Sequence, residues 1–135
     1  MPKDRFVGDK FTVIHCKDAL ESFYKALERV KSGKREAFKR GMINQIKRLA
    51  DGHRMSKENF PQEGDLPKKK GQHRTKKFNA LKRIPIRGYC WLSDRNTNTY
   101  YISHYVYKNY QNLKAADTNR VKDNWSRIEE NGDEC

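Results

Sequence analysis

The chain has 135 residues, 35% of them hydrophobic and 35% charged, and 30 Lys and Arg against 17 Asp and Glu give a formal charge of +13. That length makes one domain, residues 1–135, with a modest core, and two Trp, six Phe and seven Tyr exclude an intrinsically disordered chain. The charge favours a polyanionic partner, nucleic acid first, then an anionic membrane or an acidic protein.

Cys16, Cys90 and Cys135 are odd in number and scattered, so neither a disulfide framework nor a zinc ribbon is expected. A reduced, cytoplasmic protein is the natural reading. No apolar run approaches the ~20 residues of a membrane span, and MPKDRFVGDK has no signal-peptide core.

FTVIHC (11–16) is short and β-branched enough for a strand, which Lys17-Asp18 breaks. Asp18 with Glu21 predicts a capping box, and Leu20, Phe23, Tyr24, Leu27 and Val30 then recur at helical spacing. After a break at Ser32-Gly33, Phe38, Met42, Ile43, Ile46 and Leu49 form the stripe of a second helix, ended by Asp51-Gly52. Residues 52–76 carry little periodicity and read as one long loop. From Leu66 to Ser93 there is no acidic residue, while Lys68, Lys69, Lys70, Arg74, Lys76, Lys77, Lys82, Arg83 and Arg87 are basic. A short strand over 76–83, a strand over 84–93, turn residues 94–98 and a returning strand over 99–107 follow. Val121, Trp125 and Ile128 predict a last helix, with Asp117 as its N-cap. The expected fold class is α+β: an N-terminal strand, a helical hairpin, then a mainly antiparallel sheet and a C-terminal helix. The helices are expected on one face of the sheet.

No phosphate-binding glycine loop, G-x-S-x-G or H-E-x-x-H is present. His15 and Cys16 are adjacent and would point to opposite strand faces, so no metal site is expected. Lys, Arg, His and Tyr remain, a set sufficient for RNA cleavage without metal or other cofactor. The 2′-hydroxyl is an internal nucleophile, Arg and Lys stabilise phosphoryl charge, and His, Tyr or Lys moves protons. Strict alternation puts Arg87, Tyr89 and Trp91 on one face of their strand. On the returning strand it puts Tyr101, Ser103, Tyr105 and Tyr107 on one face, and His104 with Ile102 and Val106 on the other, as a buried core histidine. Arg87 has no local carboxylate, so its alternative to a functional role is an ion pair with the acidic tail. Lys108 at a strand end and His73 in the loop also read as solvated side chains.

ALKRIPIRGYCW followed by YYISHYVYKNYQN resembles the RelE/ParE toxin superfamily, and its HigB-like branch most. The pattern is a basic approach to a strand, an arginine just inside it, then an apolar strand ending in His, a spacer, an apolar residue and lysine. Arg87 matches the arginine, His104 the histidine, Val106 the usual phenylalanine and Lys108 the lysine. Asn109 stands where a second lysine is usual, and the loop over 54–74 is longer than in the family. The resemblance implies a RelE-like fold and the toxin of a type II toxin–antitoxin pair, bound by a cognate antitoxin. Most such toxins are metal-independent endoribonucleases that cut mRNA on the ribosome and inhibit translation; the ParE branch instead blocks DNA gyrase. A phage-derived nucleic-acid-binding module is a further alternative. In the ribonuclease reading Arg87, His104, Lys108 and His73 are the catalytic candidates. Lys76, Lys77, Lys82, Arg83, Tyr101, Tyr105 and Tyr107 are the RNA-binding candidates.

Overall fold

The computed structural model describes residues 4–68, 71, 75–108 and 114–133; His73 lies outside them. The chain opens with a hairpin in which β1 (Arg5–Val7), not foreseen in the sequence, pairs antiparallel with β2 (Thr12–His15). Next come α1 (Ala19–Glu28), a 3-10 turn at Ser32–Lys34, and α2 (Arg35–Ala50). The expected capping box at Asp18 does not form. Asp18 has φ 68° and makes no side-chain cap bond. A capping side chain reaches the first-turn donors from extended backbone, which this residue does not have. The expected apolar stripes are otherwise real: α1 buries Phe23, Ala26 and Leu27, and α2 buries Met42, Ile46 and Leu49.

The region 52–76 is not one loop, because it contains β3 (Gln62–Asp65), which pairs antiparallel with β4 (Lys77–Arg83). QEGD carries no strand signal of its own; partner pairing makes it a strand. β5 (Ile86–Leu92) and β6 (Thr99–Tyr107) complete a six-stranded sheet in the order β1-β2-β6-β5-β4-β3. All neighbouring strands are antiparallel except β2 and β6, which run parallel. α3 (Ala115–Trp125) then continues into a π turn at Ser126–Glu130. It begins earlier than expected, with Lys114 as N-cap, so Asp117 lies in its first turn.

Helices cover both faces of the sheet, not one. Phe23, Leu27, Met42, Ile46 and Leu49 of α1 and α2 pack with Leu81, Ile86, Cys90 and Ile102. Val121, Trp125 and Ile128, from α3 and its π turn, pack with Phe78, Ala80, Tyr89, Trp91 and Tyr101 on the other side. β5 explains this arrangement: apolar residues of both parities must be covered, so a helix is needed on each side. The acidic tail serves the turn before β6, where Glu129 accepts bonds from Ser93 Oγ (2.7 Å) and Asp94 N (2.5 Å). Among the described residues no helix is long and apolar enough to cross a membrane.

Candidate functional site: a basic face across β5 and β6

The pairing of β5 with β6 slips between Tyr89 and Cys90: Cys90 opposes Ile102, whereas Tyr89 opposes His104. Ser103 is the extra residue of a β-bulge, and such a residue reverses the alternation downstream of it. Upstream, Tyr101 packs with Trp91 on the α3 side and Ile102 lies on the α1–α2 side. Downstream, His104 faces Tyr89 and Val106 opposes Arg87, while Tyr105 turns to the α1–α2 core. Strict alternation therefore misplaced two sets of side chains. His104 shares a face with Arg87 and Tyr89, and Tyr101, Tyr105 and Tyr107 do not form one stripe.

His104 is fully buried and bonded at both nitrogens. Nε2 is 3.2 Å from Asp117 Oδ1 and Nδ1 is 2.8 Å from Ser103 Oγ. Asn124 Nδ2 donates to Ser103 Oγ (2.8 Å), and Arg127 Nη2 donates to Asn124 Oδ1 (2.6 Å). With Ser103 Oγ accepting from Asn124, its hydroxyl hydrogen is turned to Nδ1, and the imidazole donates from Nε2 to Asp117. Burial holds His104 below its ordinary pKa, opposed by the hydrogen bond to Asp117. Tyr89 stacks obliquely on His104, with ring centroids 5.4 Å apart. Burial and the Asp117 carboxylate raise the pKa of its hydroxyl, against the pull of Arg87.

Arg87 is 1% exposed, and among the described residues the carboxylate beside it comes from β3. Glu63, on β3, lies 3.8 Å from Arg87 Nη1 and 3.6 Å from Lys82 Nζ. Glu63 Oε1 is buried without a hydrogen-bond partner among the described residues. Lys108 Nζ, also buried, reaches Tyr89 Oη at 3.5 Å. Sequence reasoning missed Glu63, because QEGD read as loop, and assigned Asp117 to a cap rather than to His104.

The remaining candidates scatter. Lys76 pairs with Asp94, and Lys77 with Asp65 at 3.0 Å; the ion pair holds the Asp65 carboxyl below its usual range. Lys82 belongs to the Arg87 face, whereas Arg83 points to the α2 side over Phe38 (5.6 Å). Tyr101 is buried, stacked on Trp91, and its hydroxyl accepts from Asn96 Nδ2 at 2.8 Å. Tyr105 is core: it stacks on His15, its hydroxyl bonds His15 Nε2 at 2.7 Å, and burial raises its pKa. A Cβ on Gly88 would come 2.6 Å from the Tyr105 ring, so glycine leaves the space in which that ring lies. Tyr107 is half-buried beneath the Arg29 guanidinium, 4.4 Å from its ring centre.

An accessible groove of about 350 Å3 lies beside this face, between α1 and the start of α3. Lys25, Arg29, Lys108, Lys114 and Arg120 line it, with Asp117 as its one carboxylate. The imidazole of His104 thus reaches the groove through Asp117. Among the described residues no group of three or more His, Cys, Asp or Glu is placed to hold a metal ion, and Cys16 and Cys90 are buried thiols without a disulfide. Compared with protein-family models, curated proteins and solved structures, the chain matches none.

Proposed function

We propose that the chain is the toxin of a toxin–antitoxin pair, a metal-independent endoribonuclease of the RelE/HigB kind that cuts ribosome-bound mRNA and stops translation. The observation that carries this reading is the β6 bulge. It brings His104 onto the face of Arg87, Tyr89 and Lys108, beside a groove lined by cations. RNA lies with its phosphates along Lys25, Arg29, Lys114 and Arg120, and Lys108 and Arg87 stabilise the charge that grows on the phosphoryl oxygens. The 2′-hydroxyl attacks phosphorus and the bond to the 5′-oxygen breaks, leaving a 2′,3′-cyclic phosphate. Glu63 is a carboxylate of this face able to take the 2′-hydroxyl proton, Lys108 supplies one to the departing 5′-oxygen, and His104 holds Asp117 in place at the edge of the groove. The partners in this reading are mRNA, the ribosome and an antitoxin acidic enough to mask a +13 surface.

One observation favours a second reading, a toxin that binds its target, DNA gyrase included, without chemistry. Arg87 and His104 are 1% and 0% exposed. Induction of the protein in bacteria, with incorporation of labelled methionine and thymidine followed in time, separates the two. The ribonuclease reading expects translation to stop first, with primer extension showing new cuts within translated mRNA. Replication stopping first, with intact mRNA, overturns it.

A further inference from the structure

A second basic hollow lies on the opposite side of the sheet. Arg83 follows Lys82 on β4, but the two side chains part: Lys82 joins Glu63 and Arg87, whereas Arg83 crosses towards α2. There a hollow of about 410 Å3 is lined by Arg48, Arg54 and Arg83 with the amides of Asn44, Gln45 and Asn59, and no carboxylate is among its lining residues. Among the described residues none of the three arginines has an ion-pair partner. Three like charges around one concavity repel one another, and the free protein relieves this only through solvent and salt. An anion in the hollow would meet planar donor forks from the arginines and neutral amide donors.

Gly41 adds a second observation. It lies inside α2, where glycine lowers helix stability relative to alanine. A Cβ there would come 2.4 Å from Arg83 Nε, so the seat of Arg83 across the helix requires a residue with no side chain. The helix gives up local stability where the guanidinium lies.

We propose that Arg48, Arg54 and Arg83, with Asn44, Gln45 and Asn59, form a second binding site for the phosphodiester backbone of RNA, on the α2 side of the sheet. It is separate from the Arg87 face and stands whether or not that face cleaves RNA. Phosphodiesters fit better than a lone small anion, because three arginines spread along α2, the 54–59 segment and β4 can each take a successive phosphate.

The test uses a short, fluorescent single-stranded RNA with 2′-O-methyl sugars, which has no nucleophile, so binding is read without cleavage. Anisotropy titrations across a range of salt compare the parent with a variant carrying Arg48→Gln, Arg54→Gln and Arg83→Gln. Affinity should fall about 10-fold or more, and the slope of log K against log salt by about 2, the amount for three neutralised phosphates on a single strand. Gly41→Ala should melt at the same or a higher temperature yet lose part of the affinity, because Arg83 is displaced. Lys17→Gln, Lys31→Gln and Lys34→Gln together, an equal change of charge elsewhere on the surface, should change affinity by less than about 2-fold. Parent-like affinity and slope in the triple-arginine variant would overturn the site, as would an equal loss in the lysine control. Inorganic phosphate competing as well as the RNA, phosphate for phosphate, would overturn the assignment to nucleic acid.

Discussion

At the scale of single residues, the Arg87–Glu63 pair governs how any activity experiment must be read. Both side chains are buried or nearly so. Arg87→Ala leaves the Glu63 carboxylate with Lys82, 3.6 Å away, but without the buried guanidinium, which costs at most roughly 3–5 kcal/mol. We predict that loss in urea unfolding, and a smaller one for the double variant Arg87→Met with Glu63→Leu, where neither charge is left behind. A cost under about 1 kcal/mol for Arg87→Ala would mean that the pair carries no weight in the fold. Growth arrest is therefore better tested through Glu63→Gln and Lys108→Gln, scored beside their melting temperatures. His104 makes a second residue-scale prediction. Its folded pKa lies below the ordinary value of 6.5 because burial disfavours the imidazolium. Above that value neither state binds the proton, and stability is unaffected. As pH falls through 6.5 the unfolded chain takes up a proton that the folded chain refuses, so stability drops by up to about 1.36 kcal/mol per pH unit until the folded pKa is reached. His104→Gln should flatten this part of the stability profile, measured by urea midpoints from pH 7.5 to 5.

At the scale of elements, the bulge in β6 decides what the site contains. Ser103 and His104 both bond partners on α3, and Tyr105 returns to the α1–α2 core. Deleting Ser103 should leave the pairs Cys90–Ile102, Tyr89–His104 and Gly88–Tyr105 in place as a regular ladder. It would remove the bridge from Asn124 to His104, at about 2 kcal/mol for two hydrogen bonds. Cross-strand NOEs report the pairing and denaturation the cost; disappearance of the Tyr89–His104 NOEs would show that the bulge also sets the register. The boundaries of β6 were legible because a run of nine residues, all but Ser103 and His104 strand formers, ends at turn residues on one side and a lysine on the other. The bulge was not legible, since a one-residue slip is written in the pairing partner rather than in the strand. The tyrosine stripe was misjudged for that reason, and β3 was missed because QEGD is a strand only against β4.

At the scale of the whole molecule, a charge of +13 lies on both faces of the sheet: the groove beside Lys108 on one, the arginine hollow by α2 on the other. Binding of RNA should therefore weaken steeply with salt. Replacing Lys25, Arg29, Lys114 and Arg120 by Gln should lower the single-strand salt slope by about 0.7 for each phosphate that is no longer neutralised. Anisotropy in increasing salt measures it, and an unchanged slope would remove the groove from the binding surface. Composition and periodicity by themselves determined an α+β chain with a strand before two amphipathic helices, a hairpin of long strands and a closing helix, because each element carries its own apolar period. They also located the acid-free basic block, because charge is a property of the chain and needs no fold. Tertiary structure alone decided that helices cover both faces, that Glu63 meets Arg87, and that His104 sits with Arg87. These depend on which strands become neighbours and in what register, and that is set by burying both faces of β5 together rather than by any local run of residues.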